Sequence, residues 1–307
     1  MGINGLNVFI RRRCTTASNY KIHLKELHKK SIVVDASIYM YKFLEKNALM
    51  ENMDKMISIF KQYSIKPIFV FDGKRPNNTP AIKSRQKEKK DGIYEDNDNT
   101  ENTTETDDSD FIDMPIKKKS TPTVKLSAKD IFQVKEMLKK CDIQFYTADG
   151  ESDQLCASLV NSNKKIWACL SDDTDMFVYG CKRVIRHISL SHHTALHYDT
   201  YSILKELDVT LTDFQKIVAL SGTDYEFCAS PTNIDLSDII FGNGNGVVNS
   251  EYEYDNKELT IEEIWNIYLD YKNARNHHDF YGYLLNQKKI SDLKKTQLEK
   301  IIEIFSQ

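Results

Sequence analysis

A short apolar run that ends in an acid indicates the fold: Ile32-Val33-Val34-Asp35-Ala36-Ser37. A continuous run of β-branched residues predicts a strand that is buried on both faces. Similar runs follow at 68–71, 143–146, 166–170 and 184–188. Between them lie segments with helical spacing, at 38–49, 53–63, 128–140 and 153–161. This alternation predicts an α/β fold with a mostly parallel central sheet flanked by helices.

Composition indicates the class of protein. The 307 residues are 40% hydrophobic and 28% charged, which is typical of a globular protein. The net charge of −3 is less basic than that of most nonspecific nucleic-acid binders. The six cysteines include no Cys-x-x-Cys pair, so we expect reduced thiols in an intracellular protein. No apolar run reaches the ~18 residues of a membrane span, and no signal-peptide core is present.

An acidic segment lies between two basic stretches of the chain. Residues 91–113 are dense in Asp, Glu, Asn and Thr and contain no Lys or Arg, which predicts a disordered loop. The basic residues before this segment are Lys83, Arg85, Lys87, Lys89 and Lys90, and those after it are Lys117 to Lys119. The net charge therefore understates how basic these flanks are.

Seven acids fall where the predicted strands and one helix end. Six follow strands and the seventh closes the helical segment 214–220; they are Asp35, Asp72, Glu151, Asp153, Asp173, Asp175 and Asp224. The carboxyl ends of parallel strands converge on one crevice, where these side chains would repel one another. Oxygen ligands select Mg²⁺ or Mn²⁺, and two such ions about 4 Å apart hydrolyse phosphodiesters. The pattern therefore predicts a two-metal site.

A second interpretation is open for single acids in this set. Asp at a strand end is often only a turn former or a helix N-cap, and Asp35 and Asp72 each fit that role. Two acid pairs at spacing i, i+2, with three further acids, favour the metal site.

Several motifs resemble those of a known family. The opening Met1 to Leu6 and the blocks Val34-Asp35-Ala36-Ser37 and Phe71-Asp72-Gly73-Lys74 are similar to those of the flap endonuclease (XPG-type) 5′-nucleases. The family's Glu-x-Glu-x-Gln block is matched by Glu151-Ser152-Asp153-Gln154, with Asp153 in place of the second Glu, one methylene shorter. Its last two blocks are matched by Ser171-Asp172-Asp173-Thr174-Asp175 and Gly222-Thr223-Asp224-Tyr225. The resemblance covers residues 1 to about 225.

The resemblance implies a PIN-like nuclease domain with two Mg²⁺ ions, which Mn²⁺ could replace. Glu151, Asp153, Asp173 and Asp175 would be the principal ligands, and Asp35, Asp72 and Asp224 would complete the sites. The family's spacing selects Asp173 and leaves Asp172 as a bystander.

Nucleic-acid contacts also follow from the resemblance. Tyr41 lies where the family places an aromatic residue that stacks on a nucleotide, although it would equally fit a helix core. The scissile phosphate would be gripped by the basic residues Lys83, Arg85 and Lys90, with Lys87 as a further contact. The alternative for each is a solvent-exposed basic face of a helix. The acidic stretch 91–113 lies where the family has its helical arch, so we expect part of that arch to be disordered.

The last part of the chain departs from the family. Glu226 to Pro231 replaces the Gly-x-Gly signature of its duplex-binding motif, and Gln297 with Lys300 does not form a sliding-clamp peptide. We therefore divide the chain into an N-terminal nuclease part (1–90), an acidic, disordered insert in the arch region (91–120), an internal nuclease part (121–225) and a degenerate helical C-terminal region (226–307). The small size and Asn- and Lys-rich composition suggest a minimal member such as a large DNA virus encodes.

The first hypothesis is a Mg²⁺-dependent, structure-specific 5′-nuclease that acts on branched or 5′-ended DNA in replication, repair or recombination. A second hypothesis is a nuclease with the same fold and the same metal-dependent hydrolysis that cuts RNA. A third is a catalytically degenerate nucleic-acid-binding scaffold. We expect a monomer that does not bind membranes and works in the nucleus or at a cytoplasmic site of DNA replication.

Overall fold

The computed structural model describes residues 3, 5–15, 18–73, 125–222, 259–274, 279–286, 290 and 292–306. Seven strands form one sheet in the order β1-β7-β6-β5-β2-β3-β4. Their bounds are Asn19–His23 (β1), Ser31–Asp35 (β2), Lys66–Phe71 (β3), Phe145–Thr147 (β4), Ile166–Leu170 (β5), Arg183–Ser189 (β6) and Thr194–Asp199 (β7).

Helices cover both faces of this sheet. They are α1 (Leu6–Arg13), α2 (Ala36–Leu44), α3 (Leu49–Gln62), α4 (Ala128–Lys140), α5 (Ser152–Ser162), α6 (Asp175–Val178), α7 (Thr200–Leu207), α8 (Leu211–Leu220), α9 (Ile261–Asn273), α10 (Phe280–Asn286) and α11 (Asp292–Ser306), with a 3-10 helix at Leu24–Leu27. Local sequence fixes several of their starts. Ser127 and Thr260 begin α4 and α9 with reciprocal capping boxes, which satisfy backbone donors that lack a helical partner. No described helix combines the length and the apolar character needed to cross a membrane.

The sheet is mostly parallel, as the sequence predicts. β6, β5, β2, β3 and β4 run parallel. At one side β7 pairs antiparallel with β6, and β1 pairs antiparallel with β7. The central strand β2 is buried on both faces, with Val33 and Val34 fully inaccessible. Because β5, β2, β3 and β4 are neighbours and point the same way, their carboxyl ends form one continuous edge.

Two hydrophobic cores lie on opposite faces of the sheet. Val34 faces the core built by α2, α3 and α4. Val33 faces the larger core, to which α1 and α5–α11 contribute. The alternation of side chains along a strand thus divides one apolar run between two layers of helices.

Some predicted boundaries are wrong. The helix expected at 38–49 ends at Leu44, and a turn with Asn47 at φ 54° leads into α3. The strand expected at 143–146 is displaced to 145–147, because the Ile143 amide donates to the Leu138 carbonyl and ends α4. Apolar periodicity carries no information on these turns, which depend on local backbone conformation and hydrogen bonding. Strands β1 and β7 were not predicted because their sequences are short and polar.

The C-terminal helices share a core with the N-terminal one. Phe9 of α1 meets Trp265 of α9 edge to face, with ring centroids 5.3 Å apart, and both side chains are buried. At the rim of this contact, Arg13 pairs with Glu262 at 2.6 Å. The larger core therefore joins both ends of the described chain.

Trp265→Ala should lower the free energy of unfolding by about 3–5 kcal/mol, because it removes a large buried ring from this core. Leu269→Ala, on the more exposed side of α9, is the matched control and should change it by no more than about 0.5 kcal/mol. Urea unfolding of the full chain measures both. Equal effects of the two substitutions would contradict the shared core.

Candidate metal centre

Six of the seven predicted acids lie at the edge formed by β5, β2, β3 and β4. Asp35 is the last residue of β2, and Asp72 directly follows β3. Glu151 and Asp153 follow β4, at the N-cap and in the first turn of α5. Asp173 lies in the loop after β5, and Asp175 begins α6. The parallel register places these ends side by side, since Val34 pairs with both Leu170 and Phe69.

Serine hydroxyls orient the most deeply buried of these acids. Ser152 Oγ donates to Asp35 Oδ1 at 3.1 Å, and Ser171 Oγ donates to Asp35 Oδ2 at 3.0 Å. The Ile38 amide also donates to Oδ1 at 3.4 Å, so Asp35 caps α2. Asp35 is therefore both the N-cap of α2 and a member of the acidic cluster, so the two interpretations of this residue do not exclude each other.

Asp72 is held through its backbone and its side chain. Its amide donates to Ser37 Oγ at 3.1 Å, and its Oδ1 accepts from the Ser152 amide at 2.9 Å. The next residue, Gly73, donates its amide to the Gly150 carbonyl at 2.8 Å. A Cβ on Gly73 would lie 1.9 Å from the Ala148 carbonyl oxygen, so glycine alone allows the two segments to approach. This contact brings Asp72 toward the start of α5.

The loop 171–175 is organised by its own side chains. The Asp173 amide donates to Ser171 Oγ at 3.1 Å, and the Asp175 amide donates to Asp173 Oδ1 at 3.0 Å. The N-terminal segment also reaches this loop, where the Ile3 amide donates to Thr174 Oγ1 at 2.8 Å. These bonds position both acids of the pair.

The acids interact electrostatically across the four strand ends. Burial, followed by repulsion from Asp72, raises the pKa of Asp35 to about 7, against the opposing bonds from Ser171 and Ser152. Burial also raises the pKa of Asp153 well above its usual value, and the further causes are the charges of Asp35, Asp173, Asp175 and Glu151. Asp153 thus feels the charges of four other acids and Asp35 feels that of Asp72, and a bound cation would relieve this repulsion.

The donor set fits a hard divalent cation, because every candidate ligand is a carboxylate. Among the described residues, however, no three His, Cys, Asp or Glu side chains are arranged so that they could hold a metal ion. Both oxygens of Asp35 accept from serines, and Asp224 lies outside the described residues. Binding would therefore require some of these side chains to rotate.

Asp172 is paired with groups outside the acidic cluster. It accepts from Lys42 Nζ at 2.6 Å and from the His187 amide at 2.6 Å. Burial by itself would raise the pKa of Asp172, but Lys42 and His187 outweigh burial and lower it. Its contacts tie the loop after β5 to α2 and β6.

Sequence reasoning missed the supporting residues Ser37, Ser152, Ser171 and Lys42. Each of the three serines lies within two residues of an acid, and that proximity was the available signal. Tyr41 lies on α2 with its side chain 39% exposed, so it does not belong to a helix core. The basic residues Lys83, Arg85, Lys87 and Lys90 lie outside the described residues, as Asp224 does.

Comparison with known proteins agrees with this arrangement. The XPG N-terminal domain matches residues 1–93, and the XPG I-region matches residues 142–224. Together they span more than half of the chain and contain all seven predicted acids. The chain belongs to the XPG-type flap endonuclease family.

Named relatives support the assignment. Flap endonuclease 1-B of Oryza sativa subsp. indica is 27% identical over 73% of this chain and 57% of its own length. Flap endonuclease 1 of Vanderwaltozyma polyspora is 29% identical over 73% of this chain and 62% of its own length. Flap endonuclease 1 of Aedes aegypti is 25% identical over 90% of this chain and 74% of its own length. The chain thus matches only 57–62% of the length of the first two of these XPG-type relatives.

Solved structures show the same fold. The catalytic core of Rad2 in complex with a DNA substrate matches with a TM-score of 0.60 and 20% identity, covering 98% of this chain and 80% of the other. Flap endonuclease-1 from Methanococcus jannaschii gives a TM-score of 0.58 and 19% identity, covering 94% and 81%. The sheet and helices described above are therefore those of a PIN-like XPG-type nuclease.

The raised pKa of Asp35 predicts a pH dependence of stability. The folded, metal-free protein keeps this proton up to a pKa of about 7, whereas the unfolded chain releases it near 3.8. The free energy of unfolding should therefore fall as pH rises from about 4 to about 7.

Asp35→Asn should reduce that slope and leave the part that the raised pKa of Asp153 contributes, measured by urea unfolding in chelator at a series of pH values. Asp54→Asn, an exposed acid on α3, is the control and should leave the slope unchanged. An unaltered slope in Asp35→Asn would show that this carboxyl group is not protonated near neutral pH.

Proposed function

We propose that this chain is a Mg²⁺-dependent, structure-specific 5′-nuclease that cuts branched or 5′-ended DNA in replication, repair or recombination. The observation that carries the proposal is the set of six electrostatically coupled acids at adjoining strand ends. Family membership adds support, since relatives with the same N-terminal and internal blocks are flap endonucleases. DNA as the substrate is further supported by Rad2, whose catalytic core has been solved with a DNA substrate.

The residues of the chain prepare the site. Ser152 and Ser171 hold the Asp35 carboxylate, and Ser37 with the Ser152 amide holds Asp72, so both acids stay at this edge of the sheet and only side-chain rotation has to accompany the binding of a cation. Divalent ions held there, two in the proposed mechanism and with Mn²⁺ as a substitute for Mg²⁺, would lower the pKa of a bound water and stabilise the leaving oxygen. Glu151, Asp153, Asp173 and Asp175 are the proposed principal ligands, with Asp35, Asp72 and Asp224 completing the sites.

Basic residues outside the described part complete the proposal. Lys83, Arg85 and Lys90 would neutralise the scissile phosphate, and Lys87 would bind the strand beside it. In this proposal the nuclease domain consists of residues 1–90 and 121–225, residues 91–120 are the acidic insert of the arch region, and residues 226–307 are the degenerate C-terminal region. The protein would act as a monomer in the nucleus or at a cytoplasmic site of DNA replication.

Asp173→Asn should lower kcat/KM on a 5′-flap duplex with Mg²⁺ by at least about 100-fold, the upper end of the loss when only a partner of a metal ligand is removed. Cleavage is followed with an end-labelled flap, and the matched control is Asp54→Asn on the exposed face of α3. The proposal fails if cleavage survives both chelator and Asp173→Asn.

The same substrate made with RNA in the flap tests the RNA-cleaving alternative, which predicts a higher kcat/KM for RNA.

Tyr41→Ala should weaken binding of the flap substrate by about 1–3 kcal/mol, the range measured for stacking of an aromatic side chain on one base. Tyr41→Phe keeps the ring and should bind normally. Fluorescence anisotropy in Ca²⁺ without turnover measures both. Tyr201→Ala on α7, which removes an aromatic side chain that is 74% exposed, is the control. Loss of affinity in the Tyr201 variant, or none in Tyr41→Ala, would rule out the stacking role.

A further inference from the structure

A buried arginine links the N-terminal helix to the acidic loop. Arg186 of β6 is only 5% exposed. Its Nη1 donates to Asn7 Oδ1 of α1 at 2.7 Å, and its Nη2 donates to the Asp172 carbonyl at 2.5 Å. One planar guanidinium thus bonds both to α1 and to the backbone directly before Asp173.

The charge of this arginine is not matched by a nearby carboxylate. Within the described ranges, no Asp or Glu oxygen lies within 4.0 Å of its guanidinium, and its Nε has no hydrogen-bond partner. The rings of Phe177 and Tyr198 lie beside it, each with its centroid 6.0 Å away. A buried charge of this kind costs free energy, and an apolar residue would be favoured if packing were its only role. The two hydrogen bonds of the guanidinium, to Asn7 and to the Asp172 carbonyl, therefore explain an arginine at this position better than packing does.

The N-terminal segment contacts the loop at a second position. The Ile3 amide donates to Thr174 Oγ1, while Asn7 reaches the Asp172 carbonyl through Arg186. These two contacts flank Asp173 on either side along the chain. The backbone that carries Asp173 is therefore held between two anchors from the same end of the protein.

We propose that Arg186 is a positioning residue, whose bond to Asn7 and to the Asp172 carbonyl sets the orientation of the Asp173 and Asp175 carboxylates. This inference rests on the proposed function, because it concerns the metal ligands of that site. Lysine could not replace Arg186, since it presents a single nitrogen where both contacts need a rigid fork. Asn7 is a residue of α1 that no motif in the sequence singles out.

Four variants separate positioning from ordinary packing. Arg186→Lys keeps the charge and loses the fork, while Asn7→Leu removes the acceptor on α1. Asn7→Asp keeps an acceptor oxygen and is the conservative variant that should retain the contact. Tyr198→Phe is the matched control, because Tyr198 donates to the same Asn7 oxygen at 3.1 Å in the same core but does not bond to the Asp172 carbonyl.

The first measurement uses the metal-free full-length protein and does not depend on catalysis. Amide hydrogen exchange at Asp173 and Asp175 should be faster by roughly tenfold in Arg186→Lys and in Asn7→Leu, the factor expected for the loss of about one hydrogen bond. Asn7→Asp and Tyr198→Phe should exchange at these two amides as the wild type does. Unchanged exchange in Arg186→Lys, or equal acceleration in Tyr198→Phe, would overturn the proposal.

The second measurement is binding of Mn²⁺ alone, followed by calorimetry. Affinity should fall roughly 10- to 100-fold in Arg186→Lys, as when a residue that orients a metal ligand is lost, and should remain normal in Tyr198→Phe. On the flap substrate, kcat should fall with KM unchanged. If the wild type neither binds Mn²⁺ nor cleaves, the proposed nuclease function fails, and the exchange rates alone then support or overturn the positioning role. If the wild type binds and Arg186→Lys binds equally well, the positioning role is wrong.

Discussion

Six carboxylates at the carboxyl ends of four neighbouring strands repel one another, and the rest of the structure is arranged around that repulsion. The parallel register of β5, β2, β3 and β4 forces the strand ends together, so the acids cannot separate without breaking the sheet. Burial adds to the effect and raises the pKa of Asp35 and of Asp153. The fold therefore keeps an unfavourable cluster in place, and a site in which charges are held against their preference is typical of a functional centre.

Neutral hydrogen-bond donors make this cluster tolerable. Ser152 and Ser171 satisfy both oxygens of Asp35, and the Ser152 amide satisfies one oxygen of Asp72. None of these partners carries a positive charge. They stabilise the individual carboxylates, but they do not neutralise the charges that repel one another. Asp172 differs, because Lys42 pairs with it and removes it from the set. The same loop thus holds one acid that is paired with a lysine and two that belong to the acidic cluster.

Segments far apart in sequence stabilise the centre from outside. The N-terminal segment reaches the loop through Ile3 and Asn7, and α1 in turn packs through Phe9 on Trp265 of α9. The acidic edge is therefore connected to both ends of the described chain through one hydrophobic core. Such a connection explains why a helix with no acid of its own would influence the site.

The sequence by itself determined the five parallel strands, their alternation with helices along the chain, and the six strand-end acids, because apolar periodicity and motif spacing are local properties. The spacing of the family's motif also selected Asp173, and not Asp172, as the candidate metal ligand. Only the tertiary structure decided which neighbours contact the acids and the loop that carries them, since Ser37, Asn7 and Arg186 bond to residues between 14 and 179 positions away. It likewise decided that Asp35 is both a helix cap and a member of the cluster. Hydrogen bonds between distant segments depend on how the layers pack, and no pattern within a single segment records them.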